Sequence, residues 1–320
     1  MTTINSVLGP LDSESLGFTL MHDHVISRAF GITRDYPELL NTGFMESAVQ
    51  GLTRLKAAGI DTVVDATTID LGRDVTALAH VSRLSGVNVI ACTGWWLREP
   101  FFLAGVSADE IARLFIREIK EGIGGTDIKA GILKAASDRA GVNEWQVTVL
   151  RALARAHLVT GVPIMLHSYS PGRVGERQIA VLKEEGVDLR RVKMDHSNDT
   201  TDMEYLTGLL EQGCYLGMDR YPGRGDVGPL ERNRTMMALI DAGYVDRIIP
   251  SHDKTLARLI GESPMESSPA EEGKSVDPDG FLYIKQEVFP SLREMGVPEE
   301  IIGRLCVVGP RNFFGGVQRE

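Results

Sequence analysis

The stretch Val147-Thr-Val-Leu150-Arg-Ala-Leu-Ala154-Arg-Ala-His157-Leu158-Val-Thr-Gly161-Val-Pro163-Ile-Met-Leu-His167-Ser168 holds the repeating unit of the whole chain. Val147, Leu150, Ala154 and Leu158 recur at helical spacing and share one face. Gly161 marks the helix end, because glycine tolerates the left-handed turn that ends a helix. Pro163-Ile-Met-Leu then reads as a strand without polar alternation, as in parallel sheets covered on both faces. The same order of helix, glycine, polar residue and strand recurs outward in both directions. Phe44, Ala48, Leu52 and Leu55 form another apolar helical face, and Gly59, Gly86, Gly122, Gly186, Gly213 and Gly243 each stand between a helical run and a strand. Strands are predicted at 18–24, 60–66, 88–94, 129–135, 163–168, 191–197, 215–220 and 247–253. Strands alternating with helices in this number predict an α/β fold, a closed (β/α)8 TIM barrel over 1–320 as a single domain. A doubly wound open sheet is the alternative; no Gly-rich nucleotide fingerprint follows the first strand, which counts against it. The stretch 254–280, with Pro264, Pro269 and Pro278, is expected to be a long loop over the C-terminal mouth of the barrel.

Composition narrows the function classes. The chain has 320 residues, is 43% hydrophobic and carries a net charge of −10. Enough apolar surface exists to offset the entropy of ordering, which excludes disorder for most of the chain. The acidic balance argues against a nucleic-acid partner, which needs a basic face. Cys92, Cys214 and Cys306 are odd in number and far apart, so no disulfide framework is expected and a cytoplasmic location fits. No secretory leader pattern is read before Arg28, and no run approaches ~18 apolar residues, so no membrane partner is expected.

The chemistry sits at strand ends. His22 and His24 in Met21-His22-Asp23-His24 are spaced i, i+2 on the first strand, so both side chains point to one face. Taken alone, such a pair is either hydrogen-bonded core or half of a metal site. His167 ends the fifth strand, His196 the sixth, and Asp253 in Ser251-His252-Asp253 the eighth. In a barrel these ends converge on one face. The imidazole and carboxylate donors suit Zn, Mn, Co or Fe. Lys134 ends the fourth strand in Lys129-Ala-Gly-Ile-Leu-Lys134 and is expected to point toward the mouth. A buried ammonium beside metal ions needs a partner or a change of charge. Three readings stand open: an ion pair with a carboxylate such as Asp253, a Schiff-base nucleophile, or a lysine modified to a bridging acid. His80 and His157 lie in helical stretches and read as packing or surface residues.

In this set of residues the chain resembles the phosphotriesterase family of the amidohydrolase superfamily, over nearly its whole length. The motifs that carry the likeness are Leu20-Met-His-Asp-His-Val, Lys129-Ala-Gly, His196-Ser-Asn-Asp-Thr, Asp219-Arg-Tyr, Ser251-His-Asp and Gly309-Pro-Arg-Asn-Phe-Phe. The resemblance implies a (β/α)8 barrel with two divalent metal ions, Zn first among Zn, Co, Mn and Fe. It implies that Lys134 is carboxylated by CO2 and bridges the ions, that His22, His24 and Asp253 hold the buried ion, and that His167 and His196 hold the exposed one. A hydroxide bridging two cations stays deprotonated near neutral pH and attacks a carbonyl or phosphoryl group, with Asp253 taking its proton.

The substrate reading is mixed. Arg220 and Tyr221 in Asp219-Arg-Tyr, with a short connection into the helix near Leu230, resemble lactonases of the family that hydrolyse organophosphate triesters as a side activity. Trp96 in Thr93-Gly-Trp-Trp96, and Asp277-Pro-Asp-Gly-Phe, resemble the phosphotriesterases proper. Gly309 departs from the Asn usual in its motif. Trp95, Trp96, Leu97, Phe101, Phe102 and Leu103 form an apolar cluster after the third strand; it reads as a wall for an acyl or aryl group or as a homodimer contact. The expected reaction is therefore hydrolysis of a small neutral ester, a lactone before a phosphotriester, by a homodimer. A Schiff-base lyase using Lys134 and a non-catalytic binding protein are the other classes. The lyase leaves the other donors unexplained, and the binding protein predicts a missing ligand where all six positions are filled.

Overall fold

The structure is a computed structural model that describes residues 2–27, 35, 43–223, 225–258 and 278–316. A two-stranded antiparallel hairpin, β1 (Thr3–Ser6) and β2 (Gly9–Asp12), precedes the main sheet. The main sheet contains β3 (Thr19–Ser27), β4 (Thr62–Asp65), β5 (Asn88–Trp95), β6 (Ile132–Ser137), β7 (Ile164–Ser168), β8 (Val192–Asp195), β9 (Tyr215–Met218), β10 (Ile248–Pro250) and β11 (Thr255–Arg258). All neighbours are parallel, in the order β10-β9-β8-β7-β6-β5-β4-β3-β11. Helices such as Phe44–Ala57, Val75–Ser85, Ala108–Lys120 and Glu144–Thr160 alternate with the strands. The apolar faces of these helices pack on the outward residues of the strands in one continuous core. Each fully buried Val, Leu or Ile there contributes roughly 1.5–3 kcal/mol.

The ring closes because its last strand is broken in two. β10 pairs with β9, and β11 pairs with β3. Across the break, Asp253 N–H donates to the His22 carbonyl at 3.0 Å and His24 N–H donates to the Lys254 carbonyl at 2.8 Å. The Asp23 carboxylate locks the seam by accepting from Ser251 Oγ at 2.8 Å and Lys254 N–H at 3.2 Å. This corrects the sequence reading of 254–280 as loop throughout: it begins as a strand that completes the barrel. The rest of that stretch up to Asp277 lies outside the described residues.

Strand alternation sorts the interior into layers. Val64, Ile90, Ile132, Met165, Tyr215 and Ile249 fill the N-terminal half, closed from below by Ile4, Leu16, Phe313 and Phe314. Two residues further along the same strands stand Lys134, His167 and Gly217. The register of β3 against β4 shifts between Leu20 and Asp23. Such an irregularity re-aims side chains, and Met21 joins the interior layer directly before His22. Helix Glu144–Thr160 ends on Gly161 at φ 73°, with the Gly161 N–H donating to the His157 carbonyl. Leu158, placed by its spacing on the packed face, is 55% exposed. Among the described residues, no helix is long and apolar enough to cross a membrane. The three cysteines are free and buried.

Candidate metal centre

Strand ends bring the six sequence-predicted donors together. His22 and His24 come from β3, Lys134 from β6 and His167 from β7, while His196 directly follows β8 and Asp253 lies in the break between β10 and β11. Two of these residues hold left-handed backbone, His196 at φ 61° and Asp253 at φ 52°. That conformation costs a non-glycine residue free energy and needs support. His196 N–H donates to Asp219 Oδ1 at 2.7 Å, and Asp253 N–H is held by the His22 carbonyl.

Asp253 Oδ1 lies 3.4 Å from His22 Nε2 and 3.5 Å from His24 Nε2. Lys134 Nζ is 3.4 Å from His22 Nε2. His196 Nε2 is 2.8 Å from His167 Nδ1. Donor atoms of His22, His196 and Asp253 all lie within 4.8 Å of one another. The opposite ring nitrogens are already engaged. His22 Nδ1 meets Asp219 Oδ2 at 3.1 Å, His24 Nδ1 meets Thr67 Oγ1 at 2.8 Å, and His196 Nδ1 meets Asp219 Oδ1 at 3.0 Å. A carboxylate on one ring nitrogen fixes the proton there and leaves the other lone pair for a cation. These donors fit a divalent transition metal.

The electrostatics agree with ligand chemistry at the mouth. Burial, aided by Arg220, pushes His196 down to about 4. Burial and the neighbouring His196 hold His167 well below the usual imidazole value. Both rings are thus neutral near pH 7. Burial and Lys134 push His22 down as well, but Asp195, Asp219 and Asp253 outweigh them and raise it.

Beneath the mouth lies a floor of charge of which the sequence reading named only Lys134 as a site residue. Lys134, Lys193, Asp195 and Asp219 are all buried. Lys134 Nζ donates to Asp195, so the carboxylate it meets is Asp195 and not Asp253. Lys193 Nζ donates to Asp195 and, at 2.8 Å, to Asp219 Oδ2. Asp195 Oδ2 also lies 3.1 Å from His22 Nδ1. Burial raises both carboxylates, yet the lysine ammoniums more than reverse this and hold them below the ordinary range. A signal was present: Lys193 and Asp195 are alternate residues of one strand, so they share the inward phase.

Arg220 pairs with Asp253 Oδ2 at 3.1 Å and Asp199 Oδ2 at 2.5 Å. Asp199 in turn meets the buried Arg232 at 2.9 Å. Trp96 stands edge-on to His167 with ring centres 6.0 Å apart, its backbone N–H held by the Asp70 carboxylate at 3.2 Å. Arg220 and Trp96 are therefore brought to the donors. Tyr221 is buried in the layer outside the strands, its hydroxyl donating to Asn233 Oδ1 at 2.9 Å. Phe101 is 96% exposed and Phe102 68%, whereas Trp95 is buried against Trp145.

Comparison with known proteins agrees with this geometry. A model of the phosphotriesterase family matches residues 2–314. The chain is 36% identical to a phosphotriesterase homology protein of Mycobacterium tuberculosis, over 99% of this chain and 100% of that one. It is 35% identical to an aryldialkylphosphatase of Saccharolobus solfataricus, over 95% of this chain and 96% of that one. It is 26% identical to an N-acetyltaurine hydrolase of Xenopus tropicalis, over 97% of both.

Proposed function

The chain is a hydrolase of the phosphotriesterase family, and from that premise we propose that it hydrolyses small neutral esters, lactones first and organophosphate triesters as a side activity, at a centre of two divalent metal ions. The observation that carries the reading is the convergence of His22, His24, Lys134, His167, His196 and Asp253 at one end of the barrel. His22, His24 and Asp253 would hold the inner ion and His167 and His196 the outer one, with Lys134, as its CO2-derived carboxylate, between them. The ions would supply Lewis acidity and a nucleophile that is deprotonated near neutral pH.

The chain's own residues do the rest. Asp253 keeps Oδ2 on Arg220 and turns Oδ1 toward His22 and His24, so Oδ1 would be its ion-facing atom, and the carboxylate as a whole would be the group placed to take a proton. Arg220 remains a cation, since Asp253 and Asp199 outweigh its burial and raise it further. It can therefore stabilise a leaving alkoxide of a ring-opened lactone. Trp96 and the residues around it supply an apolar wall beside His167. The exposed Phe101 and Phe102 suit cover by a second copy of the chain, which makes a homodimer the proposed assembly.

A phosphotriesterase proper is the second reading. It is favoured by Trp96 at the mouth and by the likeness to an aryldialkylphosphatase. The test is kcat/KM on metal-loaded enzyme for a medium-chain lactone and an aryl dialkyl phosphate, side by side. Preference for the lactone by orders of magnitude is expected. Equal or better phosphotriester turnover would overturn the lactone assignment. Activity that survives chelation, with borohydride trapping of substrate on Lys134, would overturn the metal reading as well.

A further inference from the structure

Among the described residues, two overlapping sets of side chains could hold a cation, and they share one histidine. The upper set is His22, His196 and Asp253; the lower set is His22, Asp195 and Asp219, and both are buried. A neutral imidazole cannot ligate in both at once, because one ring nitrogen carries the proton and only the other has a free lone pair; here Nδ1 faces the lower carboxylates at 3.1 Å and Nε2 faces Asp253 at 3.4 Å. The lower set is already filled from within by the ammonium of Lys193, which bonds both Asp195 and Asp219. Its seat is built for it. A Cβ on Gly217 would lie 2.7 Å from Lys193 Nζ and 2.2 Å from Asp219 Oδ2, so only glycine leaves room there. Lys193, Asp195 and Asp219 are fully buried, so no solvent screens their charges.

We propose that Lys193 is a positioning residue, a resident cation that occupies the lower ligand set and thereby commits His22 to the upper one, with Nδ1 as hydrogen donor and Nε2 as ligand. With Lys193 in place, Asp195 and Asp219 both accept from His22 Nδ1 without repelling each other. Asp195 also accepts from Lys134 Nζ, so the same cation steadies the lysine beneath the proposed bridge. Without it, two adjacent buried carboxylates demand another cation, and an incoming divalent ion competes for His22 from below.

This inference rests on the metal-centre reading, and the test separates the two. Cobalt(II) is titrated into metal-free wild type, Lys193→Met and the double variant Lys193→Met/Asp195→Asn, following stoichiometry, Kd by chelator competition and the visible absorption of bound cobalt. The single variant removes the cation that Asp195 and Asp219 share; the double variant removes one charge of each sign. For Lys193→Met the upper-site Kd is expected to weaken by about 10- to 100-fold, the range usual for groups that orient a metal ligand, with an altered cobalt spectrum. An additional bound cobalt in that variant supports the proposal equally, since the vacated set has then taken a cation. The double variant is expected to recover to within about tenfold of wild type, because it no longer holds the competing carboxylate pair. Wild-type stoichiometry, Kd and spectrum in Lys193→Met would overturn it. Should Lys193→Met fail to fold, the double variant decides, and a soluble double variant more than 100-fold weaker than wild type would overturn it. Failure of wild type itself to bind cobalt would overturn the metal centre instead.

Discussion

Replacing Arg220 by alanine should tighten metal binding while it harms turnover. The guanidinium lies 3.1 Å from Asp253 Oδ2, with only 17% and 10% of the two side chains exposed. At that distance and an effective dielectric near 20, the gross attraction is about 5 kcal/mol. Breaking a buried pair typically costs about 3–5 kcal/mol, and partial exposure puts this pair near about 3. Asp199 keeps Arg232 at 2.9 Å, so the loss falls mainly on Asp253. In the metal-loaded protein a dication beside Asp253 replaces the missing charge, and the penalty should shrink to about 1 kcal/mol. Linkage turns the difference of about 2 kcal/mol into roughly 30-fold tighter binding of metal to the variant. Urea unfolding of both forms with and without zinc, together with chelator competition, measures both sides of this cycle. An equal or weaker zinc affinity in the variant would refute the reasoning, and with it the idea that Arg220 and the metal share the Asp253 carboxylate.

Lys134→Ala should lose most bound metal and activity, measured by metal analysis after gel filtration; full occupancy by two ions would sink the bridging role. His157, at the end of helix Glu144–Thr160, is a pH probe outside the candidate centre. Its pKa is lowered by burial, against the opposing hydrogen bond to the Val162 carbonyl. The folded protein therefore holds the neutral ring, and the unfolded chain, titrating near about 6.5, takes up the proton first. This contribution to stability is complete above that pH and is lost as pH falls toward the lowered folded value. Melting of metal-free His157→Gln should fall less between pH 7 and 5 than wild type, and an unchanged slope would refute the assignment.

The alternation of helix, glycine and strand was legible because each strand is covered on both sides and so carries unbroken apolar residues. The donors were legible because imidazoles at an i, i+2 spacing and at strand ends have few other uses in one barrel. What escaped reading depends on contacts between distant strands. Nothing local in Ile248–Pro250 or Thr255–Arg258 says that one strand is shared between two neighbours. The left-handed turns at His196 and Asp253 are imposed by hydrogen bonds to Asp219 and His22, from other strands. Lys193 and Asp195 share one phase of their strand, but their charges read as a solvent-facing phase, and only barrel closure makes it the inward one. Tyr221 follows Arg220 in sequence but packs on the opposite side of the strand end, so adjacency in a motif did not mean adjacency in the site.

The seam between the first and last strands also governs how the protein comes into being. His22 N–H bonds to Ser251 Oγ across 229 residues of chain. During synthesis the histidine pair therefore emerges long before the carboxylate that completes it. Until the closing segment leaves the ribosome, β3 presents an unpaired edge, a template for association with other chains. Closure links the most distant contacts in the barrel, a step that topology makes slow. Because Asp253 lies within the closing segment itself, the nascent barrel gains the last of its six candidate donors and loses its exposed edge in one event.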